Sequence, residues 1–198
     1  KRSLKFLKSI KSKGQMLFGI VQGGRFQKLR AASARAIGAM PFDGFGIGGS
    51  FGEEQMDVSL KTVIPYLPES KPRHLLGIGT VRDIFTAVEN GVDLFDCVIP
   101  TREARHGRIW TGNGHYDIRK SSYASDKKPL EPKCGCPICS KRIARAEVHR
   151  LFKTKNPEAG RLATIHNIWF FNSLVTKVRD AIQNGTFGKL KRSYLAKF

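Results

Sequence analysis

Acidic residues are scarce in this 198-residue chain: 16 Asp and Glu stand against 35 Lys and Arg, a formal net charge of +19 at pH 7. A surface so short of negative charge favours polyanions, because each phosphate neutralised by Lys or Arg releases condensed counterions. Nucleic acid is the expected partner, with an anionic membrane surface a distant second. Long apolar runs are missing too. No stretch is long and apolar enough to span a bilayer, and the opening Lys-Arg-Ser-Leu-Lys-Phe-Leu-Lys lacks the layout of a signal peptide. Cysteine is limited to four residues, three of them crowded into positions 134–139. That layout speaks against a disulfide framework and for a metal site in a reducing, cytoplasmic setting. No initiator Met opens the chain, and Leu4, Leu7 and Ile10 follow a helical period. The chain is therefore expected to begin inside a helix and to be a fragment of something longer. Beyond one β-α alternation there is neither an internal repeat nor a low-complexity tract.

What is present is globular: 40% hydrophobic and 26% charged residues predict a packed core. Between residues 16 and 99 short apolar runs alternate with helical patterns. Met16–Val21, Phe42–Ile47, His74–Ile78 and Val92–Ile99 read as strands. Helices are expected over Arg25–Met40 (Leu29, Ala32, Ala36 and Ile37 at helical spacing), Glu53–Tyr66 (Met56, Leu60, Val63) and Val81–Asn90 (Val81, Ile84, Phe85, Val88). Such alternation indicates parallel β-α units, and the near-continuous apolar runs predict strands buried on both faces. Four units fit either a doubly wound sheet or half of a (β/α)8 barrel. The glycine turns after the strands match no dinucleotide or P-loop fingerprint, and the barrel is preferred. After Pro100 a basic stretch, Thr101–Arg108, precedes a hairpin over Arg108–Arg119 with Thr-Gly-Asn-Gly as its turn. Residues 120–133 read as a loop, residues 140–153 and 157–184 as helices, and the end as a basic, aromatic tail.

Cys134-Gly135-Cys136-Pro137-Ile138-Cys139 supplies three thiols. A structural zinc ion takes four ligands in a tetrahedron, so a fourth is needed. His149 and His166 both lie downstream, and spacing does not choose between them. Cys97, far from the cluster in a predicted strand, reads as a small core residue.

The string Phe95-Asp96-Cys97-Val98-Ile99-Pro100-Thr101-Arg102 closely resembles the nucleophile motif of bacterial tRNA-guanine transglycosylases. The resemblance extends from Phe18-Gly19-Ile20-Val21-Gln22-Gly23-Gly24 to Thr164-Ile165-His166-Asn167, nearly the whole chain. It implies an α/β fold: the C-terminal half of a (β/α)8 TIM barrel, its last four β-α units, with a zinc-binding subdomain and C-terminal helices. Residues 1–106 would form the half barrel with base pocket and nucleophile. Residues 107–198 would form the hairpin, the zinc-binding subdomain and the closing helices. By the same resemblance His166 is the fourth ligand of one structural Zn2+ and His149 is not. Asp96 is the nucleophile, Gln22, Gly49, Leu76 and Gly77 line the base pocket, and Arg102 and Arg105 hold the tRNA anticodon loop. The implied reaction exchanges the wobble guanine for a 7-substituted 7-deazaguanine, within queuosine biosynthesis. A homodimer through the zinc region is implied as well.

The residues suit that chemistry. A carboxylate at the end of a barrel strand can attack an anomeric carbon and hold the sugar while bases exchange. Asp93, three residues earlier, is expected on the other face of the strand in a structural role. Two departures from the family pattern bear on specificity: Ser50-Phe51 follows the second glycine pair where Leu-Ala or Leu-Ser is usual, and Glu103 stands where a neutral residue is usual. The general acid/base Asp, a second base-recognising Asp and the first four barrel strands of the family have no counterpart in these residues, and a half barrel leaves two open edges. A reading from another class therefore stands beside the enzyme: a non-catalytic, zinc-containing RNA-binding module.

Overall fold

The first strand, β1 (Phe18–Val21), is followed by α1 (Gln27–Gly38), β2 (Gly44–Ile47), α2 (Met56–Val63), a 3-10 turn at Ile64–Tyr66, β3 (Arg73–Leu75), α3 (Val81–Glu89) and β4 (Leu94–Phe95). The computed structural model describes residues 2, 5, 14–48 and 56–198; the expected opening helix on Leu4, Leu7 and Ile10 lies outside them. The four strands pair in parallel in the order β1-β2-β3-β4. Among them the order never reverses, so they contain no switch point of the doubly wound kind. Contacts group the chain into two units, Lys1–Cys97 and Val98–Phe198.

In the first unit, register explains the core. Val21, Ile47, Leu75 and Phe95 fall in one row across the sheet. The first three are fully buried against Ala34, Leu60 and Val63 of the flanking helices. Removing a Leu- or Ile-sized side chain from water contributes about 1.5–3 kcal/mol. The opposite face carries the row Ile20, Gly46, His74, Leu94. Here the expectation of burial on both faces holds for β2 alone: Ile20 and Leu94 each remain 42% exposed. Their strands are apolar on two faces, but only one is covered among the described residues.

Helix α3 begins with a reciprocal cap, Thr80 accepting from the Asp83 amide while Asp83 accepts from the Thr80 amide. It buries Val81, Ile84, Phe85 and Ala87. Helix α1 departs from its expected face. It buries Arg30 and Ala34 and leaves Leu29 exposed, because Arg30 binds carbonyls beneath the sheet's turns. At the N-terminal edge of the sheet two aspartates fasten neighbouring strands. Asp43 accepts from the Leu17 amide (2.8 Å) while its own amide donates to Leu17 O. Asp93 does the same with Arg73 (2.8 Å to the amide, 2.9 Å back).

The fourth apolar run is not one strand. β4 stops at Phe95, and Val98-Ile99 leads into α4 (Ile99–Arg105), with Pro100 in its first turn, where a missing N–H leaves no helical bond unmade. The hairpin is as expected: β5 (Arg108–Thr111) and β6 (Gly114–Asp117) are antiparallel, with Trp110 opposite His115. Then come a 3-10 turn at Ser121–Tyr123, α5 (Pro137–Ser140), α6 (Arg145–Lys153), α7 (Glu158–Gln183) and α8 (Phe187–Leu195). This unit's core gathers Ile109, Ile118, Leu130, Val148, Leu162 and Ala163. The 120–133 segment is held by Arg145, which donates to Asp126 Oδ2 and Leu130 O and lies 4.9 Å over the Tyr116 ring. The basic, aromatic tail forms α8, and Phe198 stacks 5.6 Å from Trp110. No helix among the described residues is long and apolar enough to cross a membrane.

Candidate active site and metal centre

Side chains two apart on a strand share a face. The row Ile20, Gly46, His74, Leu94 is therefore followed, one step toward the C-terminal ends, by Gln22, Gly48, Leu76 and Asp96. Pairing continues into that step, with Gly48 N donating to Val21 O and Leu76 N to Ile47 O. Three residues singled out in the sequence thus meet at one edge of the sheet, with Gly77 beside them; Gly49 lies outside the described residues, as does Ser50-Phe51. Gly48 leaves room for the Gln22 side chain: a Cβ there would stand 2.9 Å from Gln22 Nε2 and 3.5 Å from Leu76 Cδ1 and would displace the Gln22 carboxamide. The Gln22 backbone is anchored, its main-chain N–H donating to Ser33 Oγ of α1 (3.1 Å).

Asp96 is 59% exposed and held on one oxygen only. The Gly77 amide donates to Oδ1 at 3.1 Å, from a residue at φ +74° that glycine adopts without strain. His74 Nε2 lies 3.0 Å from the same Oδ1, although the approach lacks hydrogen-bond alignment. Oδ2 accepts no hydrogen bond from the described residues. Asp93 points elsewhere, engaged with the Arg73 amide at the far edge. Cys97 is half-buried, and its Cβ sits where a side chain on Gly79 would go.

Two functional candidates escaped the sequence reading. One is His74, read there only as part of a strand. The other is Arg30, which is fully buried and donates from Nε to Gly24 O (2.6 Å) and from Nη1 to Gly48 O (3.1 Å). It ties together the turns that follow β1 and β2, and burial lowers its pKa. An Arg in an Ala-rich helix carries no sequence signal of burial.

The second unit holds a metal-ligand cluster. Cys134, Cys136 and Cys139 meet His166 of α7, with all four ligand atoms within 4.8 Å of one another. His166 Nδ1 is 3.9, 3.4 and 3.6 Å from the three sulfurs. A tetrahedral zinc site with ordinary Zn–S and Zn–N bonds would have S···N edges of about 3.6 Å, so the donors fit a closed four-ligand ion. His166 Nε2 is 2.8 Å from Trp110 O. Donation there leaves the Nδ1 lone pair for the metal, the outer contact typical of a ligating imidazole. Main-chain amides support the sulfurs: Cys136 N donates to Cys134 Sγ, Cys139 N to Cys136 Sγ and Glu131 N to Cys139 Sγ, at 3.3–3.4 Å.

Charge in this cluster is crowded. The Cys139 hydrogen bond, with help from His166, pulls Cys136 down to about 3 against the effect of burial. Cys139 moves up, because the Cys136 sulfur and burial both disfavour its anion. Burial alone would lower His166, but the Cys134 and Cys136 sulfurs outweigh it and raise it to about 9. A dication relieves such crowding by binding all three thiols deprotonated. His149 takes no part; its Nδ1 is buried 2.8 Å from Ile118 O.

Comparison with known proteins decides the lineage. The family model described as queuine tRNA-ribosyltransferase matches residues 1–198. The chain belongs to the queuine tRNA-ribosyltransferase family. A queuine tRNA-ribosyltransferase of Clostridium perfringens is 43% identical over 187 residues, covering 93% of this chain and 49% of the relative. One from Francisella tularensis subsp. novicida is 43% identical over 185 residues, 92% of this chain and 50% of the relative. The chain thus spans about half the length of the curated relatives it matches.

In this queuine tRNA-ribosyltransferase family member, the two arginines singled out in the sequence lie on α4. Arg102 and Arg105, three apart, share an exposed face of the helix. Between them Glu103 turns the other way, accepting from Trp110 Nε1 (2.7 Å) and Arg108 Nη1 (3.4 Å). That carboxylate is thereby engaged within the protein. α4 packs on α7 through buried Ala104. Asn167, next to His166, fixes the arrangement: Oδ1 accepts from Trp110 N (3.0 Å), and Nδ2 donates to Arg108 O (2.9 Å) and Pro100 O (3.2 Å).

Proposed function

We propose that this chain is the C-terminal half of a (β/α)8 tRNA-guanine transglycosylase. It would exchange the wobble guanine of tRNA for a 7-substituted 7-deazaguanine, in queuosine biosynthesis. The observation that carries the reading is the state of Asp96: a carboxylate at the C-terminal edge of a parallel sheet, restrained at Oδ1 and open at Oδ2, in one row with Gln22 and Leu76. Oδ2 attacks the ribose anomeric carbon, and the electron pair of the N-glycosidic bond leaves with guanine. The incoming base then attacks the same carbon, the carbon–Oδ2 bond breaks, and its electron pair returns to the carboxylate. Two inversions keep the original stereochemistry.

Gln22, Gly49, Leu76 and Gly77 hold the base by amide and backbone groups, which suit the hydrogen-bonding edges of a purine. Arg102 and Arg105 hold the anticodon loop. Cys134, Cys136, Cys139 and His166 hold one structural zinc ion. The rest of the barrel supplies the general acid/base and covers the apolar face on which Ile20 and Leu94 are exposed. A homodimer through the zinc region completes the reading.

The test is guanine exchange. Unmodified tRNA and radiolabelled guanine are incubated with the chain, with and without the N-terminal half of the Clostridium perfringens relative, and the assay is repeated with Asp96→Ala. Label is expected in tRNA only when Asp96 is present. No label under any condition, with tRNA still bound, would replace this reading by the non-catalytic RNA-binding module.

A further inference from the structure

We propose that His74 is a positioning residue for Asp96, resting on the reading of Asp96 as nucleophile. The sheet register places His74 on β3, one step below Leu76 and on the same face, beside Leu94 of β4. Its imidazole rises along that face until Nε2 is 3.0 Å from Asp96 Oδ1. The nitrogen itself is buried and makes no hydrogen bond elsewhere among the described residues, so a small rotation of either side chain completes a bond to Oδ1. Gly77 already donates to that oxygen at 3.1 Å. With the proton on Nε2, Oδ1 is gripped by two donors from β3 and its turn, and Oδ2 is left to react.

The arrangement acts in both half-reactions. When Oδ2 attacks, the two donors hold the carboxylate plane so that the free lone pair faces the sugar. When the second base attacks, the ester's carbon–Oδ2 bond breaks and negative charge returns to the carboxylate. With the His74 bond completed, both donors stand at Oδ1 and stabilise that charge. Among the described residues, no other titratable group competes from the packed strands. β2 presents Gly44–Ile47 only, and on the β4 side Asp93 is committed to the Arg73 amide while the Cys97 thiol lies toward Gly79.

A histidine that merely filled space beneath the site would be replaceable by an aromatic ring of similar size. His74→Phe removes both nitrogens and keeps the volume; His74→Gln returns a donor to the Nε2 position. With the chain complemented by the relative's N-terminal half, His74→Phe is expected to lower kcat for exchange on the order of ten-fold or more, with the KM for tRNA unchanged. His74→Gln is expected to recover most of the loss. The pH profile of kcat should change shape in His74→Phe and not merely in height. Equal activity in His74→Phe and the parent, equal loss in Phe and Gln variants, or a rise in KM alone would overturn the proposal. A second readout needs no catalysis: the Nε2 resonance of the His74 imidazole, followed by NMR in the full chain at one fixed pH, should move when Asp96 is changed to Asn, and an unmoved resonance would overturn the pairing. If no variant, parent included, exchanged guanine, the transglycosylase reading would fail and take this role with it. A His74 ring resonance still responsive to Asp96 would then separate that failure from the absence of the pair.

Discussion

Replacing Asn167 by Leu is a near-isosteric change that isolates one polar junction. Asn167 is fully buried and serves three main-chain groups: the Trp110 amide, the Arg108 carbonyl and the Pro100 carbonyl. Leucine fills the space and satisfies none of them. A buried donor or acceptor left without a partner costs about 1–3 kcal/mol. The Trp110 amide is in the interior, whereas the two carbonyl bonds are only partly buried and can recover some hydration. The sum is a loss of about 3–5 kcal/mol in the second unit. With an m-value of about 2 kcal/mol per molar urea, the midpoint falls by about 2 M. The chain's two tryptophans, Trp110 and Trp169, both lie in that unit, so their fluorescence follows its unfolding alone. Asn172→Leu, exposed on the same helix, is the control and should shift the midpoint little. An Asn167→Leu midpoint within about 0.5 M of the parent, at unchanged metal content, would refute the reasoning.

Three further outcomes are expected. Cys136→Ser, or a strong chelator at neutral pH, should remove stoichiometric zinc and unfold the second unit, because metal binding is part of its folding free energy; elemental analysis paired with tryptophan fluorescence checks this, and a folded, metal-free unit would contradict it. Arg30→Met should lose about 3–5 kcal/mol of local stability, seen as faster amide exchange in the peptides carrying β1 and β2; unchanged protection there would contradict the tie between Gly24 and Gly48. The Asp126 carboxyl is held below its ordinary range by the Lys128 amide and then by Arg145, so its contribution is fully present above the unfolded value of about 3.9 and is lost as pH falls through the lower folded value. The stability gap between parent and Asp126→Asn should accordingly narrow from pH 6 to pH 3, and a constant gap would contradict that account.

The parallel β-α alternation was legible because helix and strand periods differ, and Met56, Leu60, Val63, Val81, Ile84 and Phe85 all became core as their spacing predicts. The three thiols were legible from spacing alone. The fourth ligand was not, since His149 and His166 both stand on helices and only tertiary packing turns one toward sulfur and the other toward Ile118 O. α4 was hidden because Val98 and Ile99 extend an apolar run past the strand end, and Pro100 suits a strand stop as well as a helix start. α8 has no side-chain cap to announce it. Arg30 and His74 were illegible for a shared reason: their roles depend on partners distant in sequence, the Gly48 carbonyl and the Asp96 carboxylate.

Asp43 and Asp93 fasten strands at the N-terminal edge of the sheet, while Gln22, Leu76, Gly77 and Asp96 stand at the other edge. The two edges share strands but no hydrogen bond among those described. Substitutions at the C-terminal edge can therefore accumulate without loosening the strand starts, which makes that edge the evolvable one. If the proposed pocket is right, a library randomised at positions 22 and 76 would sample new base preferences on a register that two carboxylates hold from the far side.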